Sequence, residues 1–269
     1  MEPLAALASA AEALAAPFSA LGLGAARLLG VIAALPVFSR LGLKAPLRGG
    51  VAVALALPLV PVLAPRLAEA PPGAAQLALL GLKEATVGLL LGLLASLPFR
   101  AAEAAGELID QQRGSPAEPV ADPSGTGEAG TTATLFSIAS IAVFHAAGGM
   151  ESLLAALYES WRVWPPLEPL PRPRPDAAAA LLTLLDETAR AGLVLAAPVV
   201  SVLVLTEVAM ALAGRATGGR FGFDGLAPVA KGFAFALALP VYAAFLVGYL
   251  GDGLAPAFDA LARMRAVMP

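Results

Sequence analysis

Long apolar stretches are the feature that most restricts what this chain can fold into. A helix needs about 20 mostly apolar residues to cross the hydrocarbon core of a bilayer, where every backbone polar group must be bonded internally. Five stretches meet that requirement: 18–38, 77–99, 131–150, 191–213 and 226–250. With 58% hydrophobic and only 14% charged residues overall, they predict an all-α fold, a polytopic membrane protein built from kinked helical hairpins.

Two further segments are less regular. Residues 50–64 are short for a span and contain Pro58 and Pro61, so this segment is expected to dip, to kink or to cross only partly. Residues 177–191 predict another helix, with Asp176 as its N-terminal cap. The whole chain is predicted to form a single integral membrane domain. Its predicted non-spanning parts are a lead-in at 1–17, a polar loop at 106–130, a Pro-rich loop at 165–176 and a tail at 251–269.

Prolines lie near the middle or the end of several apolar runs. Each removes a helical hydrogen bond, so bends are expected at these positions. Proline is also common in membrane helices of every kind, which leaves an ordinary interpretation open. The four positions are Pro36, Pro98, Pro198 and Pro240.

Charged residues interrupt the apolar stretches at a cost of a few kcal/mol each, unless they are paired or face water. Two interpretations are open: they pair with one another and hold the bundle together, or they line a polar lumen or a subunit contact. Glu84 also begins a helix face on which Gly88 and Gly92 follow at spacings of four, which favours close packing. The five charged residues are Arg27, Lys83, Glu84, Glu207 and Lys231.

A polar stretch at 106–132 lies in the middle of this apolar chain. It consists mainly of Gly, Pro, Ser, Gln and acidic residues. Irregular backbone at membrane depth persists only where protein buries it or water reaches it. The stretch is therefore either a plain solvent loop or the lining of an aqueous path, and the residues alone leave both open.

Several functional classes find no support in the sequence. A net charge of -3 without a basic run argues against nucleic acid. The chain has no cysteine and a single histidine, His145, which is interpreted as a packed or interfacial residue. No nucleophile elbow, zinc-protease motif or Walker-type glycine loop occurs. We therefore expect no enzymatic activity, no cofactor and no metal site.

A family resemblance appears in several ordered motifs. The run AGELIDQQRG, then Asp122 and Pro123, and then GGMESLLAALYESWRVWP resemble the SctT/FliR family of type III secretion export-apparatus proteins. Upstream, AARLLGVIAALPVFSR and KEATVGLLLG are similar to the family's first helix and its E-x3-G-x3-G segment. Downstream, LTEVAMALAGR and LAPVAKGF are similar to its closing pair of helices. Tyr158, Ser160, Trp161 and Pro165 favour the injectisome (SctT) branch.

The resemblance implies a specific function. Family members are single-copy parts of an export gate in the bacterial inner membrane, where the loop between the third and fourth segments plugs a channel for unfolded substrates. The implied partners are SctR/FliP-like, SctS/FliQ-like and SctU/FlhB-like membrane proteins. The implied plug and lumen residues are Gly106, Asp110, Gln112, Arg113, Gly114, Asp122 and Pro123.

Other residues are assigned to helix packing or to subunit contacts. The assigned residues are Arg27, Pro36, Glu84, Gly88, Gly92, Gly148, Gly149, Ser160, Trp161, Glu207, Arg215 and Lys231.

One departure from the family pattern is clear, because the usual Pro-Gln-x-Asn after the family's arginine is replaced, after Arg215, by ATGGRFGFDG.

The alternative class is a polytopic secondary transporter. In it, Glu84, Glu207 and Lys231 would bind a substrate or a proton near the bilayer midplane. Such folds usually consist of two corresponding halves with matching broken helices, and the sequence has no such repeat.

Overall fold

The structure is a computed structural model that describes residues 2–40, 44–114, 120–121, 128–168, 175, 177–218 and 222–257. Nine α-helices make up nearly all of this part of the chain, which confirms the all-α prediction. The exception is a two-residue antiparallel pair, β1 (Val120–Ala121) and β2 (Glu128–Ala129), in which Val120 pairs with Ala129. The helices are α1 (Glu2–Ala34), α2 (Pro36–Arg40), α3 (Ala45–Ala56), α4 (Val60–Glu69), α5 (Ala74–Arg113), α6 (Thr131–Ala146), α7 (Gly149–Val163), α8 (Ala177–Ala216) and α9 (Phe223–Ala257).

The chain divides into two compact units. The first contains the described residues of Met1–Ser96 and Ala155–Pro175, and the second contains those of Leu97–Leu154 and Asp176–Asp259. In the first unit α1 packs against α3 and α4, and in the second α8 packs along α9. The prediction of a single membrane domain stays a prediction.

Five of the described helical segments are long and apolar enough to cross a bilayer, which supports a multi-pass membrane protein. A sixth segment is the pair α6 and α7, bent by 76°. The predicted span at 131–150 is therefore broken, because α6 ends at Ala146 and the chain turns at Gly148. The five continuous segments are Ala13–Ala34, Ala45–Glu69, Ala74–Arg113, Ala178–Ala216 and Gly225–Tyr249.

The segment around Pro58 is longer than expected. It comprises α3, a 3-10 turn at Leu57–Leu59 and α4, so Ala45–Glu69 passes the length and hydropathy criteria for a span. Proline at 58 has no N–H to donate, and the amide of Leu57 instead bonds the Ala54 carbonyl oxygen. The Tyr158 hydroxyl on α7 donates to the next carbonyl, that of Leu55, at 2.9 Å. The Tyr158 hydroxyl thus provides a hydrogen bond to a backbone carbonyl group just before the α-helix becomes a 3-10 turn.

Other predicted boundaries shift as well. Helix α1 continues through Pro17, so the lead-in is helical and joined to the first span. Helix α8 joins the separately predicted segments 177–191 and 191–213 into one 40-residue helix. Pro36 starts α2 just after α1 has ended, whereas α5 and α8 continue through Pro98 and Pro198.

The start of the predicted polar loop is wrong. Residues Gly106 to Arg113 are helical and form the last two turns of α5, and the chain leaves the helix at Gly114, which has a φ of 63°. This segment is polar in composition, but it is amphipathic, since Ala105 and Ile109 on one side are completely buried. Asp122 and Pro123 lie outside the described residues.

Candidate functional site

A buried charge cluster lies in the first unit. Arg27 on α1 donates from Nε and Nη2 to the two carboxylate oxygens of Glu84 on α5, at 2.7 and 2.9 Å, and both side chains are fully buried. Nη1 donates to Ser160 Oγ at 3.0 Å, and Nη2 also donates to the Trp164 carbonyl oxygen at 2.7 Å. The guanidinium lies 5.8 Å from the centre of the Trp161 ring. The group formed by Arg27, Lys83, Glu84, Ser160, Trp161 and Trp164 is called the Arg27 cluster below.

Lys83 attaches this cluster to the turn that follows α7. Its Nζ lies 2.7 Å from Glu84 Oε1 and donates to three backbone carbonyl oxygens, those of Pro165, Pro166 and Glu168, at 2.9 to 3.1 Å. An ammonium group is a hydrogen-bond donor only, with three protons, so carbonyl and carboxylate oxygens are suitable partners for it. The start of the Pro-rich segment is thereby fixed to α5 within the first unit.

Glycines bring α1 and α5 into backbone contact beside the cluster. A Cβ added to Gly88 would overlap the Arg27 carbonyl oxygen, and one added to Gly92 would lie 2.8 Å from the Val31 carbonyl oxygen. A Cβ added to Gly30 on α1 would likewise overlap the backbone of Ala85, Gly88 and Leu89 on α5. The face predicted from Glu84, Gly88 and Gly92 is therefore covered by α1 of the same chain. This close approach is what lets Arg27 reach Glu84 directly.

A second polar group, in the second unit, joins the end of α5 to the start of α6. These two helices flank the polar loop, which begins at Gly114. Asp110, near the end of α5, accepts hydrogen bonds through Oδ2 from the amides of Thr132 and Ala133, at 2.9 and 3.2 Å. These amides belong to the first turn of α6, where backbone N–H groups have no partner within the helix and an anion is favoured. Gly130 contributes no cap of its own. Asp110 therefore caps α6 from a different helix.

Arg113 reinforces this closure. Its Nη1 lies 3.4 Å from Asp110 Oδ1 and 3.3 Å from Thr132 Oγ1, and its guanidinium carbon lies 4.5 Å from the centre of the Phe235 ring on α9. The last turn of α5 and the first turn of α6 are thus joined by the Arg113 guanidinium and the Asp110 carboxylate.

Lys231 on α9 extends the same group to the helix pair α8 and α9. Its Nζ lies 2.7 Å from Glu207 Oε2 on α8 and donates at 3.0 Å to the carbonyl oxygen of Gln112 in the last turn of α5. The group formed by Asp110, Gln112, Arg113, Thr132, Glu207, Lys231 and Phe235 is called the loop stem below. The charges that interrupt the apolar stretches thus pair with one another in both units, as one of the two interpretations predicts.

Glycine also permits close contacts around the loop stem. A Cβ on Gly106 would overlap the Ala133 backbone, and one on Gly130 would overlap the Asp110 carboxylate. Gly148 has a φ of 71°, and a Cβ on Gly149 would overlap the Phe144 ring. Gly148 and Gly149, predicted as packing or contact residues, form the sharp bend between α6 and α7.

Nothing in these two groups suggests bond-making chemistry. Each carboxylate is neutralised by a cation or bound to backbone amides, and no nucleophile is paired with a base. Within the described residues, no three His, Asp or Glu side chains lie close enough together to hold a metal ion. His145 is exposed, with Nδ1 2.9 Å from the Ile141 carbonyl oxygen. Arg215 is exposed in the last turn of α8.

The backbone partners of these charges could not be predicted from the sequence. The carbonyl oxygens that bind Lys83 and Lys231, and the amides that Asp110 caps, have no residue signature, because any residue supplies them. Phe235 lies four residues after Lys231 on an apolar helix, so only its spacing could have indicated it.

Comparison with known proteins identifies the family. The family model described as "Bacterial export proteins, family 1" matches residues 18–218. The "Surface presentation of antigens protein SpaR" of Salmonella typhimurium is 33% identical over 195 residues, which cover 72% of this chain and 71% of that protein. The "Yop proteins translocation protein T" of Yersinia pestis is 27% identical over 243 residues, or 90% of this chain and 92% of that protein.

A shorter match supports the same assignment. The "Secretion system apparatus protein SsaT" of Salmonella typhimurium is 33% identical over 122 residues, or 45% of this chain and 47% of that protein. The matched family segment includes the Arg27 cluster and both ends of the polar loop. The chain therefore belongs to the family 1 bacterial export proteins, the SctT/FliR family of type III secretion export-apparatus membrane proteins, and is of the injectisome type.

Proposed function

We propose that this chain forms part of the wall of the protein-conducting channel of a type III secretion system in the bacterial inner membrane, and that its polar loop is the plug of that channel. The loop stem carries the proposal. In an otherwise apolar helical protein, a polar segment is attached at both ends to a single hydrogen-bonded base, formed by Asp110, Arg113 and Thr132. This base joins the end of α5 to the start of α6 directly, so we expect the two helices to stay packed when the segment between them is changed.

The proposed partners are the SctR/FliP-like, SctS/FliQ-like and SctU/FlhB-like membrane proteins of the same apparatus, together with unfolded secreted substrates. The outer surfaces of α8 and α9 are apolar and exposed, as at Leu205, Phe233, Leu237 and Val241. Lipid or neighbouring subunits would have to cover them. The chain is proposed to perform no chemistry of its own. The transporter alternative gains nothing from the geometry, because Glu84 and Glu207 are each bound to a cation of the same unit.

Deleting residues 115–128 tests the plug directly. The deletion begins after Gly114 and spares Asp110, Arg113 and Thr132, so assembly with the other membrane proteins should be retained. Ion leakage through the assembled gate should rise, as measured by conductance in planar bilayers or by dye release from vesicles. A matched control replaces 115–128 by a Gly/Ser segment of equal length, which keeps the connection but removes the side chains. An assembled deletion variant that seals as tightly as the wild type would contradict the proposal.

A further inference from the structure

The end of α5, where the chain enters the polar loop, is also bound by a residue of α9. Lys231 lies on α9, more than 100 positions after the loop, and its side chain is only 11% exposed. Its ammonium group binds the Gln112 carbonyl oxygen and the Glu207 carboxylate at the same time. One buried cation therefore joins α5, α8 and α9.

The position of the bound carbonyl makes this contact consequential. Gln112 is the second-last residue of α5, so its carbonyl is one of the four at the helix end that have no partner within the helix. A cation at that end also interacts favourably with the helix dipole. Removing the cation leaves the last turn of α5 without this bond, at the point where the chain enters the loop.

The same face of α9 makes further contacts with the segments beside the loop. Phe235, one helical turn after Lys231, packs against the Arg113 guanidinium. Tyr242, two turns further on, stacks on Phe136 of α6, with ring centres 5.6 Å apart. Spacings of four and seven place these three side chains on one side of the helix. Helix α9 thus contacts α5 just before the loop and α6 just after it.

The Glu207 partner differs from Lys231 in exposure. Its side chain is 54% exposed, whereas that of Lys231 is almost completely buried. Glu207 therefore contacts the ammonium group from its more exposed side, and the Gln112 carbonyl oxygen contacts the same group from its buried side. Helix α9 thus contacts the end of α5 both through this nitrogen and through Phe235.

We propose that Lys231 is a positioning residue for the end of α5: by binding the Gln112 carbonyl oxygen, it keeps the last turn of α5 formed and the loop stem packed together, and Glu207 acts through it. This inference rests on the proposed plug function for its meaning in export, but the contact itself is tested separately. The α8 and α9 pair then helps to hold the last turn of α5 in place.

Charge exchange separates this role from simple ion pairing. In the double variant Glu207→Lys, Lys231→Glu, the ion pair between α8 and α9 can re-form with opposite polarity. A carboxylate at position 231 has no proton to donate, so it cannot bind the Gln112 carbonyl oxygen. An ion-pair role predicts rescue by the exchange, whereas the proposed role predicts none. Lys231→Arg keeps a donor and is the conservative variant, and exposed Arg190→Gln on α8 is the matched loss of a cation outside the loop stem.

Because the chain contains no cysteine, the labelling rate of a single introduced cysteine measures how well the end of α5 is packed. Ile109 is fully buried one turn before the end of α5, and Ala102 is fully buried about two turns earlier. Single Ile109→Cys and Ala102→Cys substitutions, each combined with the variants above, are labelled with N-ethylmaleimide in membranes containing the full assembled apparatus. Native electrophoresis confirms that each variant assembles.

We expect Lys231→Gln and the charge exchange to speed labelling at position 109 about tenfold, the effect of one lost charge-assisted hydrogen bond. Labelling at position 102 should be unchanged, and Lys231→Arg should stay near the wild type. Wild-type labelling of the assembled charge-exchange variant would overturn the proposal, and so would wild-type labelling of Lys231→Gln. The labelling does not depend on the plug function, so failure of the 115–128 deletion to cause leakage would refute the plug and leave this test standing.

Discussion

The Arg27 cluster allows a quantitative prediction about buried charge. Replacing Glu84 alone by methionine removes both carboxylate oxygens from a guanidinium that is completely buried. Only Ser160 Oγ and the Trp164 carbonyl oxygen would remain as acceptors. Removing one member of a buried ion pair typically costs about 3–5 kcal/mol, because the other charge stays buried without compensation.

The double variant Arg27→Met, Glu84→Met should be less harmful than the single one. It removes both charges of the Arg27–Glu84 pair and retains volume with a flexible apolar side chain, a type of exchange that is often neutral. Lys83 loses the Glu84 carboxylate in both variants and keeps its three carbonyl oxygens, so its loss is common to the two. It also removes the two hydrogen bonds that Arg27 donates to Ser160 and Trp164, worth about 1.5 kcal/mol each because the donor is charged, and the burial of two apolar side chains offsets part of this loss. The expected net loss is therefore about 1–2 kcal/mol, less than half of that for the single variant.

Thermal stability of the purified apparatus measures this difference. Each variant is heated in detergent, and the assembled fraction is followed by size-exclusion chromatography with a fluorescent tag on this chain. For a chain of this size, about 2–4 °C of midpoint corresponds to 1 kcal/mol, so the single variant should melt roughly 10 °C lower. The double variant should recover most of that loss. A double variant that melts at or below the single one would refute the reasoning, since the pair would then stabilise in its own right.

Three further predictions concern packing and capping. Gly88→Ala should lower the stability of the assembled protein by about 1–3 kcal/mol, because its Cβ overlaps the Arg27 carbonyl oxygen; thermal melting measures this. Asp110→Ala should cost about 0.5–2 kcal/mol through loss of the α6 cap and should raise hydrogen exchange in the first turn of α6. Tyr158→Phe should cost about 1 kcal/mol and raise exchange near Leu55, whose carbonyl oxygen loses its donor.

Each of these predictions has a control in the same chain. Gly81 lies on the same helix as Gly88 with open space at its Cβ position, so Gly81→Ala should not be destabilising. Equal losses at the two glycines would argue against the close contact of α1 and α5. Asp110→Asn keeps an acceptor and should lose less than Asp110→Ala. Tyr249→Phe on α9 tests whether hydroxyl removal by itself changes exchange near Leu55, and a positive result would contradict the assigned bond.

Much of the helical architecture could be predicted because it depends on local composition. A run of about 20 apolar residues is enough to indicate a span, and the five continuous segments coincide with or contain most of the predicted ones. Two errors arose where local geometry overrides composition. The break at Gly148 comes from a backbone with positive φ inside an apolar run, and the helical end of α5 comes from an amphipathic pattern inside a polar run.

The two charge groups could be predicted only in part. Pairing of the intramembrane charges follows from the cost of burying them singly, and the structure shows it for Arg27 with Glu84 and for Glu207 with Lys231. The contacts that join Lys83, Asp110 and Lys231 to backbone groups depend on how the helices fold back on one another. No spacing rule in a single sequence contains that information.

The length of α8 has a consequence for its surroundings. Forty residues at 1.5 Å per residue give an axis of about 60 Å, twice the roughly 30 Å thickness of bilayer hydrocarbon. The charged residues Asp186, Glu187 and Arg190 mark the part that extends into water or protein. Yet Leu182 and Leu185 in that same part are more than half exposed. Bilayer hydrocarbon can cover only about half of this helix, so we expect a neighbouring protein surface to cover the leucines that lie outside it.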